Sequence, residues 1–312
     1  MTEFLQHFVN GLSVGTIYAL IALGYTMVYG VLKLINFAHG DVYMVGAFAG
    51  YYLGAMSENG EPTLFRAVLV TLGSMIFCGL LGYTIERFAY RPLRHRARLT
   101  ALITAIGVSF LLEYSFQLKP WFHHPFEFPP GPSPRFFPAL IDFGGESPSI
   151  EFLDVTIPKI DLLGFGVAIA LMLLLQFIVY RTRFGTAMRA VSFDSQVAGL
   201  MGIPVNRIIS LTFMLGSALA AAAGIINASS RPKIDPLFGL ISGLKAFVAA
   251  VLGGIGSVPG AMVGGLVLGL TEEFVAGYTD SSYRDAIAFT VLILVLLVRP
   301  TGIFGRVTAE KV

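Results

Sequence analysis

The sequence predicts an all-α, polytopic membrane protein that forms a single transmembrane domain over residues 1–312, and three observations carry that prediction. Hydrophobic residues make up 55% of the chain and charged residues only 13%, against roughly 45–50% and 25% in soluble domains. The apolar residues gather in runs long enough to cross a bilayer as helices. The charged residues gather in the links between those runs, where water can reach them.

The apolar runs lie at 8–31, 37–55, 64–86, 99–118, 160–180, 207–228, 238–254, 257–276 and 285–299. Their orientation follows from the arginines and lysines in the connections, which favour the cytoplasmic side. The link 87–98 carries five arginines and no acidic residue, so we expect it to be cytoplasmic. Parity then places 181–207 and the tail 300–312 inside, and the N-terminus and 119–159 outside.

Runs 238–254 and 257–276 form a glycine-rich hairpin. Both connections that flank it are expected outside, so the two runs enter and return on the same side of the membrane. Gly256, Gly260 and Gly264 recur every four residues, which permits helix backbones to approach closely in lipid. We therefore expect seven full spans plus this hairpin, which forms either two short spans or a re-entrant pair.

The segment 181–206 lies between the fifth and sixth full spans and is too polar to lie in lipid. Its pattern predicts two short helices. Thr186 is a candidate N-cap for the first, and Asp194 is a natural N-cap for the second. Gly202 would end the second helix, and Pro204 would prevent it from resuming.

Both short helices carry apolar residues at helical spacing. Met188 and Val191 share a face of the first, and Val197, Leu200 and Met201 form a stripe on the second. Helices this short need a surface on which to dock. That surface is either their own membrane domain, which makes the segment a connecting loop, or a groove on a cytoplasmic partner.

The outer connection 119–159 holds nine of the sixteen prolines and, among its aromatic residues, Trp121, Phe122, Phe126, Phe128, Phe136 and Phe137. Proline blocks helix formation and favours extended chain, and aromatic side chains suit the headgroup level of a membrane. The loop is either a docking ledge for an extracytoplasmic partner or a lid on its own bundle. His123 and His124 are adjacent, but they lack a further ligand cluster, so we reject a metal site.

Several polar residues lie in or beside the spans, where they mark either a solute path or a structural contact. The turn 36–41, hereafter the 36–41 corner, joins the first two runs; it is either a polar turn in which Asn36 or Asp41 caps a helix, or part of a path. For Lys245 the alternative to a solute path is a buried ion pair with an acidic residue. The candidate path residues are Asn36, His39, Asp41, Glu113, Lys245 and Glu272.

Other functional classes find little support in the sequence. The pattern GxxxxGK[ST] is absent, so ATP chemistry would have to come from another subunit. No nucleophile–base pair or metal-ligand spacing indicates an enzyme. Cys78 is the single cysteine, which excludes an intrachain disulfide and indicates a buried thiol. A secondary transporter driven by ions through intramembrane carboxylates remains the rival interpretation.

Five stretches resemble the H-type permease of branched-chain amino-acid ABC importers. They are 11–24 (GLSVGTIYALIALG), 36–41 (NFAHGD), 86–94 (ERFAYRPLR), 243–261 with its glycine-rich turn (GGIGSVPGA) and 299–305 (RPTGIFG). The segment 181–206 resembles the coupling segment of such permeases, which rests on the ATPase subunit. The matching positions are Arg189, Ala190, Asp194, Ala198, Gly202 and Ile203.

The resemblance implies a permease subunit of a bacterial inner-membrane importer, with no cofactor of its own. A homologous second permease would complete a heterodimeric pore, two ATPase subunits would bind ATP-Mg, and an extracytoplasmic binding protein would deliver the solute. Nucleic acid is not an expected partner. The implied substrates are branched-chain or other neutral amino acids, with urea, short amides or polar amino acids as alternatives. The long loop 119–159 departs most from the family pattern.

Overall fold

Helices follow the apolar runs in the computed structural model, which describes residues 2–56, 61–94, 96–121, 127–143, 149–152, 154–299 and 301–305. Within these residues the α-helices are α1 (Thr2–Leu32), α2 (His39–Ala55), α3 (Leu64–Ile85), α4 (Arg98–Gln117), α5 (Lys159–Arg181), α6 (Arg183–Phe193), α7 (Ser195–Leu200), α8 (Val205–Ser230), α9 (Phe238–Gly253), α10 (Val258–Tyr278) and α11 (Arg284–Val298). A π-helical turn, Glu86–Tyr90, and a short 3₁₀ turn, Arg91–Leu93, continue α3.

Seven helices of the described chain are long and apolar enough to cross a membrane, but they are not the seven that we expected. Helix α2 has 17 residues and is about 26 Å long, short of the roughly 30 Å hydrocarbon core. Helix α10, the second arm of the hairpin, has 21 residues and reaches about 32 Å. Phe37 and Ala38 form the turn before α2, so the helix is two residues shorter than the run 37–55, and the crossing of the membrane by this run stays a prediction.

Helix α1 forms the centre of the bundle. Along its most apolar stretch 89% of the residues are buried, and it packs against α2, α8, α9 and α10. Helices α3, α4, α5 and α11 leave large apolar side chains such as Phe77, Leu111 and Leu297 exposed. In a chain with this composition, those outer faces are lipid-facing surfaces.

Glycines set the closest helix contacts, as the four-residue spacing predicts. A Cβ at Gly264 would lie 2.8 Å from the backbone nitrogen of Gly253, in the facing arm of the hairpin. On another face of α10, a Cβ at Gly265 would overlap the backbone of Ala19 in α1. Small residues therefore allow α10 to pack tightly on α9 and α1 at once.

The all-α prediction holds apart from two small antiparallel sheets. Strands β2 (Ser149–Phe152) and β3 (Val155–Pro158) form a hairpin within the loop 119–159. Strand β1 (Arg135–Phe136), from the same loop, pairs with β4 (Lys233–Ile234) before α9. The extended segments that proline favours thus pair as strands, and this pairing satisfies backbone N–H and C=O groups with hydrogen bonds.

Contacts between the connections sort them to two ends of the bundle. At one end the side chain of Gln6 exchanges hydrogen bonds of 3.0 and 2.9 Å with the backbone of Thr156 in β3. The pairing of β1 with β4 adds the link before α9 to this end. At the other end the Ser192 hydroxyl donates to the carbonyl of Gly30, 2.6 Å away.

The described part of the tail joins that second end. The backbone nitrogens of Ile303 and Phe304 donate to the carbonyls of Leu252 and Gly253 at 2.9 and 3.0 Å. These contacts fold the tail onto the turn between α9 and α10. Gly254, within that turn, has a φ of 101°, a conformation that glycine adopts without strain.

Candidate translocation and coupling sites

The 36–41 corner lies inside the bundle rather than at its surface. The ring of His39 meets that of Tyr25 edge to face at 4.8 Å and lies against Gly24. Gly24 is eight residues before Leu32, where α1 ends, which places the contact about 12 Å up the helix. The chain therefore folds back into the bundle before α2 begins.

Neither polar side chain of the corner acts as the helix cap that we considered. Ala38 occupies the N-cap position of α2 and makes no side-chain cap. The Asn36 side chain instead accepts a 2.7 Å hydrogen bond from the Tyr90 hydroxyl, and Asp41 accepts one from Ser109 in α4. The corner is thus tied to two other elements, which leaves the solute-path interpretation open.

Two candidate carboxylates lie near each other between α2 and α4. Asp41 is 2% exposed and Glu113 is 5% exposed, yet Asp41 Oδ1 and Glu113 Oε2 have no hydrogen-bond partner within the described chain. Ser109, which donates to Asp41, lies one turn before Glu113 on α4. Because buried polar groups are normally paired, these two oxygens leave room for a partner that the described residues do not supply.

A cavity of about 110 Å³ adjoins Asp41. Asp41 and Ser109 line it together with the Tyr25 side chain and backbone from α9 at Gly239 and Gly243. A Cβ at Gly40 would lie 2.6 Å from the Gly239 carbonyl oxygen, so glycine is needed where α2 crosses α9. The result is a small space with apolar walls and one buried carboxylate.

The other two path candidates, Lys245 and Glu272, form an ion pair instead. The Lys245 ammonium lies 2.8 Å from Glu272 Oε1 and 2.6 Å from Asp285 Oδ1. Glu272 also accepts a 2.9 Å hydrogen bond from the Tyr18 hydroxyl, and Arg284 lies 3.6 Å away. This network joins α1, α9, α10 and α11, so the structure separates it from the corner and favours the buried-pair interpretation.

Sequence reasoning did not single out a further buried carboxylate, Glu86, in the π-helical turn. It is fully buried, forms an ion pair with Arg94 and accepts a hydrogen bond from Ser210. Arg94 also donates to Asn206 Oδ1 at 2.7 Å. Burial lowers the pKa of the Arg94 guanidinium, and the charge of Glu86 opposes that shift. The five-arginine link was the available signal, since buried arginine requires a counter-charge.

The segment 181–206 contains the two expected helices, α6 and α7. The predicted cap of α7 is present: Asp194 Oδ1 accepts from the backbone nitrogens of Gln196 and Val197 at 2.8 and 3.0 Å. Gly202 ends the helix with a φ of 82°. The Ile203 nitrogen donates to the Ala198 carbonyl at 3.1 Å, which closes a Schellman motif.

The cap expected for α6 was assigned to the wrong threonine. Thr182 is the N-cap, and its hydroxyl oxygen accepts a 3.1 Å hydrogen bond from the nitrogen of Gly185. Helix α6 therefore starts at Arg183, directly after α5 ends at Arg181. Thr186 lies within the helix, where its hydroxyl donates to the carbonyl of Thr182.

The two short helices present different surfaces. On α6, Met188 and Val191 are buried against the bundle. On α7, only Ala198 is buried, and Leu200 and Met201 are 87% and 78% exposed. The first helix rests on its own domain, and the apolar stripe of the second has no cover within the described chain.

The remaining coupling positions lie on or beside these surfaces. Arg189 is exposed, and its guanidinium lies over the ring of Tyr180, 5.4 Å from the centroid. Ala190 is half-buried, as is Ile203 after the second helix. Within the described residues, no group of three His, Cys, Asp or Glu side chains could hold a metal ion. His123 and His124 lie outside the described residues.

These features define a class: a multi-pass helical membrane protein with buried carboxylates between its helices and an exposed apolar helix at one end. The chain belongs to the family described as branched-chain amino acid transport system / permease component, whose model matches residues 7–296. Membership confirms the resemblance of the sequence motifs. The family consists of permeases rather than enzymes, and no cofactor is expected in such a chain.

Relatives of similar length support this membership. The high-affinity branched-chain amino acid transport system permease protein BraD of Pseudomonas aeruginosa is 44% identical over 99% of this chain and 98% of its own length. The corresponding protein LivH of Escherichia coli strain K12 is 42% identical over 99% and 98%. The ribose import permease protein RbsC of Escherichia coli strain K12 is 32% identical over only 38% of this chain and 39% of its own length.

Proposed function

We propose that this chain forms half of the pore of an ABC importer for branched-chain or other neutral amino acids. The names of the full-length relatives support this substrate class, and urea, short amides or polar amino acids are the alternatives. A homologous second permease, two ATPase subunits and an extracytoplasmic binding protein would complete the transporter in a bacterial inner membrane.

The observation that carries this proposal is the uncovered stripe on α7. The stripe lies on a helix that is capped at both ends, by Asp194 and by Gly202, so its shape exists before any partner arrives. An amphipathic helix of this kind fits a hydrophobic groove. A self-sufficient secondary transporter would have no use for it. The ATPase subunit is the partner that an importer permease requires at this position.

In this proposal the coupling segment transmits movement from the ATPases to the spans. Helix α6 packs on the bundle through Met188 and Val191, and Ser192 ties it to the end of α1. A push on α7 would therefore reach α1, where Gly24 contacts His39 about 9 Å along the helix from Gly30. The helices would switch between outward and inward access as rigid bodies.

We further propose that the solute path passes the Asp41 and Glu113 carboxylates rather than the Lys245–Glu272 ion pair. Each carboxylate has an oxygen without a hydrogen-bond partner in the described chain, and Asp41 lines a cavity. The ion pair already satisfies its charges. A zwitterionic amino acid carries an ammonium group that would complement a buried carboxylate.

The orientation proposed is an outer N-terminus and a cytoplasmic coupling segment and tail. The arginine-rich link and the grouping of connections at two ends of the bundle support it. Cysteine labelling of intact cells, in a Cys78→Ala background, should modify Ser133→Cys and leave Leu200→Cys unmodified. Both side chains are exposed. Labelling of Leu200→Cys but not Ser133→Cys would reverse the orientation.

Docking on the ATPase is tested with Leu200→Asp. Placing a charge in the centre of an apolar contact should reduce co-purification of the ATPase subunits. Leu237→Asp is the matched control, because Leu237 is also exposed but lies before α9, at the opposite end of the bundle. Equal recovery of ATPase subunits with both variants and the wild type would refute docking through α7.

A further inference from the structure

A second cavity, of about 310 Å³, lies between the end of α3 and the start of α8. Three arginines line it: Arg87 and Arg91 from the turns that continue α3, and Arg207 from the first turn of α8. This is the end of the bundle that carries the coupling segment, and the solute path proposed above does not use it.

The positive charge in this cavity is not neutralised within the described chain. None of the three arginines has a carboxylate within ion-pair distance there, whereas the neighbouring Arg94 is paired with Glu86. Arg207 also lies at the N-terminus of a 26-residue helix, where the peptide dipoles add partial positive charge. The cavity therefore attracts an anion from outside the chain.

The lining changes from charged to apolar along both helices. On α8, Arg207 is followed one and two turns later by Leu211 and Met214. On the α3 side, Tyr83 lies one turn before Arg87. Moving into the membrane, the wall thus passes from arginine to tyrosine and then to leucine and methionine. A small free anion would gain nothing from contact with the apolar part of the wall.

We propose that this cavity binds an anionic phospholipid of the surrounding membrane. The arginines would hold the phosphate, which the planar guanidinium fork matches well. Tyr83, Leu211 and Met214 would contact the glycerol and the first part of the acyl chains. A basic pocket between spans on the cytoplasmic side is a recurrent form of lipid headgroup site, so the assignment rests on the orientation proposed above.

The buried neighbours of the cavity explain why its shape would persist without lipid. Glu86 joins Arg94 and Ser210, and Arg94 joins Asn206. These bonds connect the turns that continue α3 to the first turns of α8. Ser210 and Asn206 also line the cavity, so its floor is a hydrogen-bonded network that spans both helices.

The test uses native mass spectrometry of the purified importer complex in detergent. Phosphatidylglycerol and phosphatidylcholine of equal chain length are added to the wild type, to Arg87→Gln/Arg207→Gln and to the control Arg96→Gln/Arg299→Gln. Both double variants lose two positive charges, and all four arginines are exposed. The wild type should prefer phosphatidylglycerol, and affinity should fall about fivefold for each cavity arginine removed. The control should retain wild-type affinity.

Equal phosphatidylglycerol binding by the wild type and Arg87→Gln/Arg207→Gln would overturn the proposal, as would an equal loss in the control. Glycerophosphate supplies the headgroup chemistry without acyl chains. If it displaces phosphatidylglycerol at equal concentration, the site takes free phosphate esters, and the lipid assignment is wrong. If the cavity variant releases ATPase subunits with unchanged lipid binding, the occupant is an acidic protein surface instead.

Discussion

Removing the cap of α7 is the sharpest perturbation of the coupling segment. In the wild type, Asp194 Oδ1 accepts two backbone hydrogen bonds, at 2.8 and 3.0 Å. Asp194→Ala would leave both N–H groups to water, at a cost of about 0.5–2 kcal/mol of local helix stability. That corresponds to a roughly 2- to 30-fold shift in the local helix equilibrium.

The structure indicates that this loss stays local. Helix α7 has only six residues. The two hydrogen bonds of its cap therefore contribute a large part of its stability. The opposite end keeps its Schellman motif at Gly202, and α6 keeps its own cap at Thr182. The bundle should therefore fold and insert normally, and the stripe should lose its fixed shape.

The assay is ATPase stimulation by the loaded binding protein, measured on the purified complex. Stimulation should fall several-fold in Asp194→Ala, with a smaller loss in co-purification of the ATPase subunits. Asp280→Ala is the matched control, since Asp280 caps the short 3₁₀ turn Ser281–Tyr283 at the opposite end of the bundle and accepts a 2.7 Å bond from Ser282. Full stimulation in Asp194→Ala would refute the reasoning.

Three further predictions follow from the spans. Asp41→Asn should lower uptake at least about tenfold without loss of assembly, because a hydrogen bond to a charged group contributes about 1.5–3 kcal/mol; uptake by the reconstituted importer measures this. Lys245→Met should lower the apparent melting temperature in detergent, because an unpaired buried carboxylate costs up to about 3–5 kcal/mol, and adding Glu272→Gln should recover part of the loss. Gly265→Ala should reduce the yield of folded protein in size-exclusion chromatography, whereas Gly107→Ala, whose Cβ meets open space, should not.

Each of these has an outcome that contradicts it. Normal uptake by Asp41→Asn would reduce the corner to a structural tie between α2 and α4. A melting temperature for Lys245→Met equal to that of the wild type would mean that the ion pair contributes nothing to stability. Equal yields for both alanine variants would mean that α1 and α10 tolerate a wider separation than the structure shows.

Local signals explain most of what the sequence predicted correctly. The cap at Asp194 and the stop at Gly202 act on backbone groups within four residues, so their chemistry is visible in the sequence. The apolar runs follow from the same logic, because the need to satisfy backbone groups in lipid leaves helix as the expected form. Even so, Thr182 and Thr186 are equivalent candidates by pattern. The choice between them depended on where α5 ends.

The pairings between helices could not be read in advance. Glu272 meets Lys245, 27 residues away, and Tyr18, 254 residues away. The residues around Glu272 do not indicate its partners, because the partners depend on which helices pack against each other. The same holds for Asp41 and Ser109, which come from α2 and α4. Sequence reasoning therefore found polar residues in the spans but could not divide them into an ion pair and a candidate path.

The composition of the run 37–55 also could not predict the length of α2. Phe37 and Ala38 are as apolar as the residues that follow, yet they form the turn that carries the chain back into the bundle. Gly24 makes room there for the His39 ring. Such a turn depends on a tertiary contact between α1 and α2. A hydropathy pattern records only the apolar character of the run.

The central claim is that this chain transports only as one subunit of an ATP-driven complex. The most direct test compares proteoliposomes that contain the chain alone with proteoliposomes that also contain the second permease and the ATPase subunits. With binding protein, ATP and radiolabelled leucine supplied, the complete complex should take up solute, and the chain alone should not, with or without a proton or sodium gradient. Gradient-driven leucine uptake by the chain alone would contradict the account and favour a secondary transporter.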